Sequence, residues 1–297
     1  MLPLSLQTNV TSLFAQQQLQ TNDNNESNTI EQLTSGYRIN SAGNDAAGLA
    51  VANELQANVT ELQQGVINAA NGSSILQIMD GGLNDISNLL DRLQTLATES
   101  ASGTFEGNRT TLNNEYQSVL GEITREAGNI GLASGGTTSD TGTIGSSQYN
   151  TTPLAIFIGG GDTGVPTDNQ VTVDLTSGGA GGVTVTGVDA TGLGLAGGDV
   201  SSAADAATAL TAVQTAISSL GQVQGAVGAG ENLMNYATSL ANSQITNLTS
   251  SEASIKDANV AADASSLAQE QTLQQSSIAA LAQANSMPEA VLKLLQQ

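Results

Sequence analysis

The chain has 297 residues, of which 27 are acidic and 6 basic, a formal net charge of -21, and it contains no cysteine, histidine or tryptophan. That composition excludes thiol and imidazole nucleophiles, Cys/His zinc centres and disulfides. It also disfavours nucleic acid and anionic membrane surfaces, which attract basic patches.

Only 11% of residues are charged and 2% are aromatic. The surface must therefore be built from Asn, Gln, Ser, Thr and Gly. The apolar positions, mostly Ala, Leu, Val and Ile, suit helices packed closely side by side rather than a core with aromatic anchors. No run reaches the roughly 18 apolar residues that would span a bilayer. The first residues, MLPLSLQTNVTSLFAQQQ, lack the basic region and apolar core of a secretory leader. The expectation is a protein that stays inside or leaves by a route that removes no leader.

Residues 1–33 carry Leu6, Val10, Leu13, Phe14, Leu19, Ile30 and Leu33 at mostly helical spacing, around a polar middle, QTNDNNESN. Such a helix is weak alone and needs a partner on its apolar stripe. SGYRINSAGNDAAG follows, a joint that holds one of the six basic residues, Arg38. Gly36 suits a helix C-cap, Asn44 or Ser41 suits the next N-cap, and Asp45 falls in the first turn.

A long apolar stripe then runs from Leu49 to Ala97. The stretch NGSS at 71–74 and the pair Gly81-Gly82 are soft points where a break is expected to be easiest. Unbroken, residues 45–99 would extend about 80 Å. A shorter helix is predicted over 109–127.

At 131–200 the composition turns rich in Gly, Thr and Ser. LAIFIG (154–159) and NQVTVDL (169–175) alternate as strands around the turn-prone GGGDTGVPTD, which predicts a β-hairpin resting on the helices. GGVTVTGV is a candidate further strand. Helical spacing returns from Ser202, with a soft point at 227–232, and the last segment covers 252–297. Pro288 fits the first turn of a final short helix capped by Ser286. The fold class is mostly α: long antiparallel helices with paired N- and C-terminal segments and a small β-hairpin insert in the centre. Catalysis is not expected: carboxylate pairs such as Asp80/Asp85 and Glu122/Glu126 read as solvated helix faces.

LTSGYRINSAGNDAAGLAVANEL (33–55) resembles the N-terminal signature of bacterial flagellins. The segment 244–297, with LAQAN followed by a proline and a Leu-rich close, is similar to the flagellin C-terminus. The resemblance covers roughly 1–130 and 200–297. It implies a minimal two-domain member. Residues 1–43 plus 254–297 would form an inner terminal coiled-coil domain, 44–133 plus 200–253 an outer helical rod domain, and 134–199 a β-hairpin and Gly/Thr-rich centre.

The function so implied is a structural one: self-polymerisation into the extracellular flagellar filament, the propeller for motility. The alternatives are a hook–filament junction protein and a secreted adhesin-like binding module. Implied partners are other copies of the chain, the type III export apparatus with its chaperone, and hook-associated and cap proteins. No cofactor, metal, nucleic acid or membrane is implied.

The resemblance also assigns residues. Gly36, Arg38, Ile39, Asn40, Asn44 and Asp45 would form an inter-domain spoke, with Arg38 bonding carbonyls or a carboxylate, within or across subunits. Leu6, Val10, Leu13, Phe14, Leu273, Ile278, Leu281, Val291, Leu292 and Leu295 would serve terminal coiled-coil assembly. Arg92, Leu96 and Glu122 match positions read by the Toll-like receptor that senses flagellin. Gln94 and Thr95 depart from a charged pair usual there, and Leu233 stands where an arginine is usual. Independently of the family, repetition of a charge of -21 along a polymer predicts self-repulsion that salt, divalent cations or moderate acid would relieve.

Overall fold

The structure is a computed structural model, described here for residues 9–134, 153–159, 169–175, 177–178, 183–184 and 187–295, with 177–178, 183–184 and 288–295 treated as backbone. Five helices and two short hairpins follow in the order α1 (Val10–Ser35), α2 (Ala46–Ala101), α3 (Arg109–Asn129), β1 (Leu154–Phe157), β2 (Gln170–Val173), β3 (Ser177–Gly178), β4 (Val183–Thr184), α4 (Ala203–Lys256) and α5 (Val260–Leu295). Two compact units are formed, one from Met1–Ala57 with Thr246–Gln297 and the other from Asn58–Ile245. No helix of the described residues is long and apolar enough to cross a membrane.

The second unit is built on heptads. On α4, Ala206, Ala209, Val213, Ala216, Leu220, Val223, Val227, Gly230 and Met234 are buried, in alternating steps of three and four. On α2 the same steps bury Leu62, Ala69, Leu76, Met79, Leu83, Ile86, Leu90 and Leu93. This is the spacing of a helix that keeps one narrow seam toward a neighbour. The helix α3 adds Tyr116, Leu120, Ile123 and Ala127. Its Tyr116 is fully buried and its hydroxyl has no hydrogen-bond partner among the described residues; burial also pushes the phenol pKa up. A buried polar group without a partner carries its desolvation cost uncompensated. Tyr116→Phe is therefore expected to stabilise the subunit by about 1 kcal/mol, read as a rise in thermal midpoint. A fall in the midpoint would show that the hydroxyl has a partner.

The soft points do not break the helices. Gly72, Gly82 and Gly230 lie inside continuous α2 and α4, and each is closely approached by another element. The hairpin pairs antiparallel with Leu154 opposite Val173 and Phe157 opposite Gln170. It buries Leu154, Ile156, Ile158, Val173 and Leu175. A Cβ on Gly65 would overlap the Ile158 carbonyl oxygen, one on Gly72 would overlap Ile156 Cδ1, and one on Gly230 would lie 2.6 Å from Val173 Cγ1. The hairpin is thus seated on helix backbone, and Asn68 Nδ2 donates to the Phe157 carbonyl at 3.0 Å beside it. β3 and β4 form a second two-stranded pair. The central insert is closed at its base: Val188 N–H donates to the Leu132 carbonyl at 2.9 Å. Buried Asp189 also accepts from the Ser134 hydroxyl at 2.7 Å and amide at 3.0 Å.

Pro288 does not start a new helix, as the sequence suggested. α5 runs through it without interruption, and the Ser286 hydroxyl donates back to the Gln283 carbonyl at 2.9 Å instead of capping.

Candidate assembly surface

The first unit holds the spoke and the terminal helices. α1 ends in Gly36, whose φ of 75° is left-handed and whose N–H closes on the Gln32 carbonyl; glycine adopts that conformation without a Cβ penalty. The two connectors, 36–45 and 257–259, then run side by side. Tyr37 and Asp257 form an antiparallel bridge. Arg38 N–H donates to the Lys256 carbonyl at 2.7 Å, and Ala258 N–H to the Gly36 carbonyl at 2.9 Å.

The Arg38 guanidinium donates to the Ile255 carbonyl at 2.7 Å and stands 3.8 Å from Asp45. Ile255 is the penultimate residue of α4, where carbonyls lack helical donors and positive charge is favoured. The scarce arginine thus caps one helix and ties two connectors within a single subunit. Lys256 joins the cluster, 4.7 Å from the Tyr37 ring centroid and 3.7 Å from Glu252.

The N-cap of α2 is Asp45 itself, whose carboxylate accepts from Gly48 N–H at 2.8 Å. Asn44 and Ser41 instead hydrogen-bond each other, hydroxyl to amide oxygen, at 2.9 Å. Ile39 is buried, and the Asn40 side-chain amide is buried without an acceptor.

α1 and α5 pair antiparallel, and the seam between them takes only part of the apolar stripe read from the sequence. Counting by heptads along α1, the covered positions are Ser12, Ala15, Leu19, Asn22, Glu26, Thr29 and Leu33. Along α5 they are Asp263, Leu267, Glu270, Gln274, Ser277, Leu281 and Ala284. Polar residues cross the seam in pairs. The Ser12 hydroxyl donates to Asn285 Oδ1 at 2.8 Å, Asn22 to the Ser277 hydroxyl at 3.2 Å, Gln274 to Asp23 at 3.0 Å, and the Thr29 hydroxyl to Glu270 at 3.2 Å.

Most of these polar groups satisfy one another, although the second Glu270 carboxylate oxygen is buried with no partner among the described residues. Leu19, Leu33, Leu267 and Leu281 share the seam, while other large apolar residues point away from it: Val10 and Leu13 are each 55% exposed, Phe14 62% and Ile278 52%. Leu273 is likewise exposed, while Leu281 lies on the seam, half-buried. Leu6 lies outside the described residues, as do the side chains of Val291, Leu292 and Leu295.

In the second unit, Arg92 donates to Glu115 at 2.9 Å and Arg125 to Glu122 at 3.0 Å. Leu96 is fully buried; it is a core residue and cannot offer a surface to a receptor. Arg125 holds the Glu122 carboxyl below its ordinary pKa, and the Ser201 hydroxyl and amide do the same for Asp199. A carboxyl with a depressed pKa adds stability above its unfolded pKa and loses it as pH falls. Acid therefore weakens these two contacts while it relieves repulsion, an effect opposed to the salt-like benefit expected from the sequence.

Residues 6–130 match the family model of the bacterial flagellin N-terminal helical region, and 210–295 that of the C-terminal helical region. A flagellin of Halalkalibacterium halodurans is 30% identical over 97% of this chain and 98% of its own. The chain belongs to the bacterial flagellin family. Other flagellins of similar length match end to end. That of Listeria innocua is 29% identical over 98% of this chain and 99% of its own. A flagellar filament core protein of Treponema maltophilum is 29% identical over 97% and 98%.

Among solved structures, a putative flagellar hook-associated protein from Vibrio parahaemolyticus is similar at a TM-score of 0.50 and 15% identity. That likeness covers 72% of this chain and all of the other, and it speaks to fold alone. Membership makes this flagellin a structural subunit that polymerises into the extracellular filament, and not an enzyme. The junction-protein and adhesin readings are not favoured.

The seam residues Ser12, Asn22, Thr29, Glu270 and Gln274 were missed by a search for apolar periodicity. Their signal is the unbroken three-and-four spacing with small and polar occupants.

Proposed function

We propose that the outward apolar residues of the α1–α5 pair, Val10, Leu13, Phe14, Leu273 and Ile278, are the surface buried between copies in the filament. The observation that carries this is that the pair spends polar side chains on its internal seam while Val10, Leu13, Phe14, Leu273 and Ile278 stand exposed outside it. An apolar face of this kind gains little from water and much from a neighbour. Residues 1–43 with 254–297 then supply the inner coiled-coil layer of the filament and 44–133 with 200–253 the rod layer, with Gly36 to Asp45 as the spoke.

Phe14→Asp tests the reading. Phe14 touches no buried seam, so the soluble subunit should keep its helical circular dichroism and thermal midpoint while seeded polymerisation is lost. Wild-type elongation by the variant would refute it.

The family supports further steps: export through the type III channel with a chaperone and no cleaved leader, and contacts with hook-associated and cap proteins. Recognition by the flagellin-sensing Toll-like receptor would rest on Arg92 and Glu122. Both are already engaged in ion pairs; a reporter assay with depolymerised subunit reads it directly.

A further inference from the structure

An antiparallel heptad seam repeats itself. Its four leucines, Leu19, Leu33, Leu267 and Leu281, stand among small and polar side chains that exchange partners readily. The connector bonds at Gly36–Ala258 and Tyr37–Asp257 hold the register where the pair begins, and the far end needs a contact of its own. In α5 the sequence contains one proline, Pro288, and it lies inside the continuous helix. Proline has no amide hydrogen, so the carbonyl four residues back loses its helical donor. That carbonyl belongs to Ala284.

Asn9 Nδ2 donates to it at 2.8 Å. The other end of the same amide, Oδ1, accepts from Ser12 N–H at 3.1 Å and caps α1. Beside it the Ser12 hydroxyl bonds Asn285. One side chain thus closes the open start of one helix and the gap in the other. Local helix stability gives no reason for a proline at 288, since alanine there would favour the helix.

We propose that Asn9 and Pro288 form a register lock: the carbonyl freed by Pro288 is the single interior point of α5 that takes the α1 cap, and this fixes which outward apolar residues of the two helices stand together. The lock rests on the reading that those residues meet a second copy of the chain, which gives the register its consequence.

Two variants test it. Asn9→Asp keeps the acceptor that caps α1 and removes the donor. Pro288→Ala strengthens α5 and returns an amide hydrogen to the Ala284 carbonyl, so Asn9 has nothing left to fill. A role in helix stability alone makes Pro288→Ala neutral or beneficial, whereas the lock makes it harmful.

The chain has no cysteine, so Gln18→Cys and Gln275→Cys, both exposed, accept nitroxide labels cleanly. Labelled chains are copolymerised with excess unlabelled wild type, and the label-to-label distance is measured by pulsed electron resonance. The expected result is one narrow distance for the parent. Both variants should show a broader distribution with a second, displaced population. Elongation of each unlabelled variant should slow by about tenfold, the weight of one net hydrogen bond.

A single narrow distance in Pro288→Ala, with elongation as fast as wild type, would overturn the lock. So would a shift in Asn9→Asp alone, because the Asn9 donor would then act without the carbonyl that Pro288 frees. Polymerisation by Phe14→Asp would refute the assembly surface and leave the label distances, and so the lock, untouched.

Discussion

Gly65→Ala is expected to destabilise the second unit by roughly 1–3 kcal/mol, although alanine is the better helix former. Gly65 is buried, and its added methyl would overlap the Ile158 carbonyl oxygen and lie 2.8 Å from Ile158 Cα. The obstacle is backbone of the hairpin, not the end of a flexible side chain, so β1 has to lift. Lifting it uncovers Leu154, Ile156 and Ile158, which are buried under it. The helix-propensity gain of about 1 kcal/mol offsets only part of this.

Gly81→Ala is the control. Gly81 is exposed on the same helix and nothing would lie within 4 Å of its Cβ. It should stabilise by about 1 kcal/mol. Thermal melts of the two variants are therefore expected to move in opposite directions. A rise for both would mean that the hairpin does not rest on the helix backbone at Gly65.

Filament stability should depend steeply on salt. The net charge alone suggests this, and the structure removes the main escape from it. Every described cation is engaged inside the subunit: Arg38 at Ile255 and Asp45, Arg92 at Glu115, Arg109 at the Ser100 and Ser102 carbonyls, Arg125 at Glu122 and Glu126, and Lys256 at Glu252. Lateral contacts between copies are thus short of arginine or lysine to answer carboxylates across the interface. Ions from solution must do it.

The Debye length falls from about 30 Å at 0.01 M to about 3 Å at 1 M. Across that range the critical concentration for polymerisation is expected to fall at least about tenfold, equivalent to about 1.4 kcal/mol per subunit. Sedimentation of filaments after dilution into graded sodium chloride reads it, and a flat profile would refute it.

Much of the fold was legible because helices announce themselves by periodicity. The stripes of α2, α3 and α4, the alternation in LAIFIG and NQVTVDL, and the glycine stop at Gly36 all appear in the structure. The terminal pair shows the limit of that method. Apolar periodicity located α1 and α5 and suggested that they pair, yet it did not separate the residues of the seam, such as Leu19 and Leu281, from those that face outward, such as Phe14 and Ile278. Val10, Leu13 and Phe14 are apolar because something outside the subunit covers them on the proposed reading, and a single chain gives no sign of which neighbour an apolar face serves. The glycines misled in the opposite way. Gly72, Gly82 and Gly230 looked like weaknesses in a helix, since propensity counts only the helix's own backbone.

The sequence by itself determined the class and the family, because residue pattern and end signatures are local properties that survive without coordinates. It also determined that no thiol or imidazole chemistry is open to the chain. Tertiary structure alone decided the purpose of the exceptions. Arg38 became a cap for the end of α4, Asp45 took the cap that Asn44 or Ser41 was expected to provide, and Leu96 moved into the core. Pro288 passed from a helix start to the source of a free carbonyl that Asn9 fills from 275 residues away in sequence. Each of these depends on which group stands opposite, and a hydrogen-bond partner at long range leaves no periodic trace in the chain.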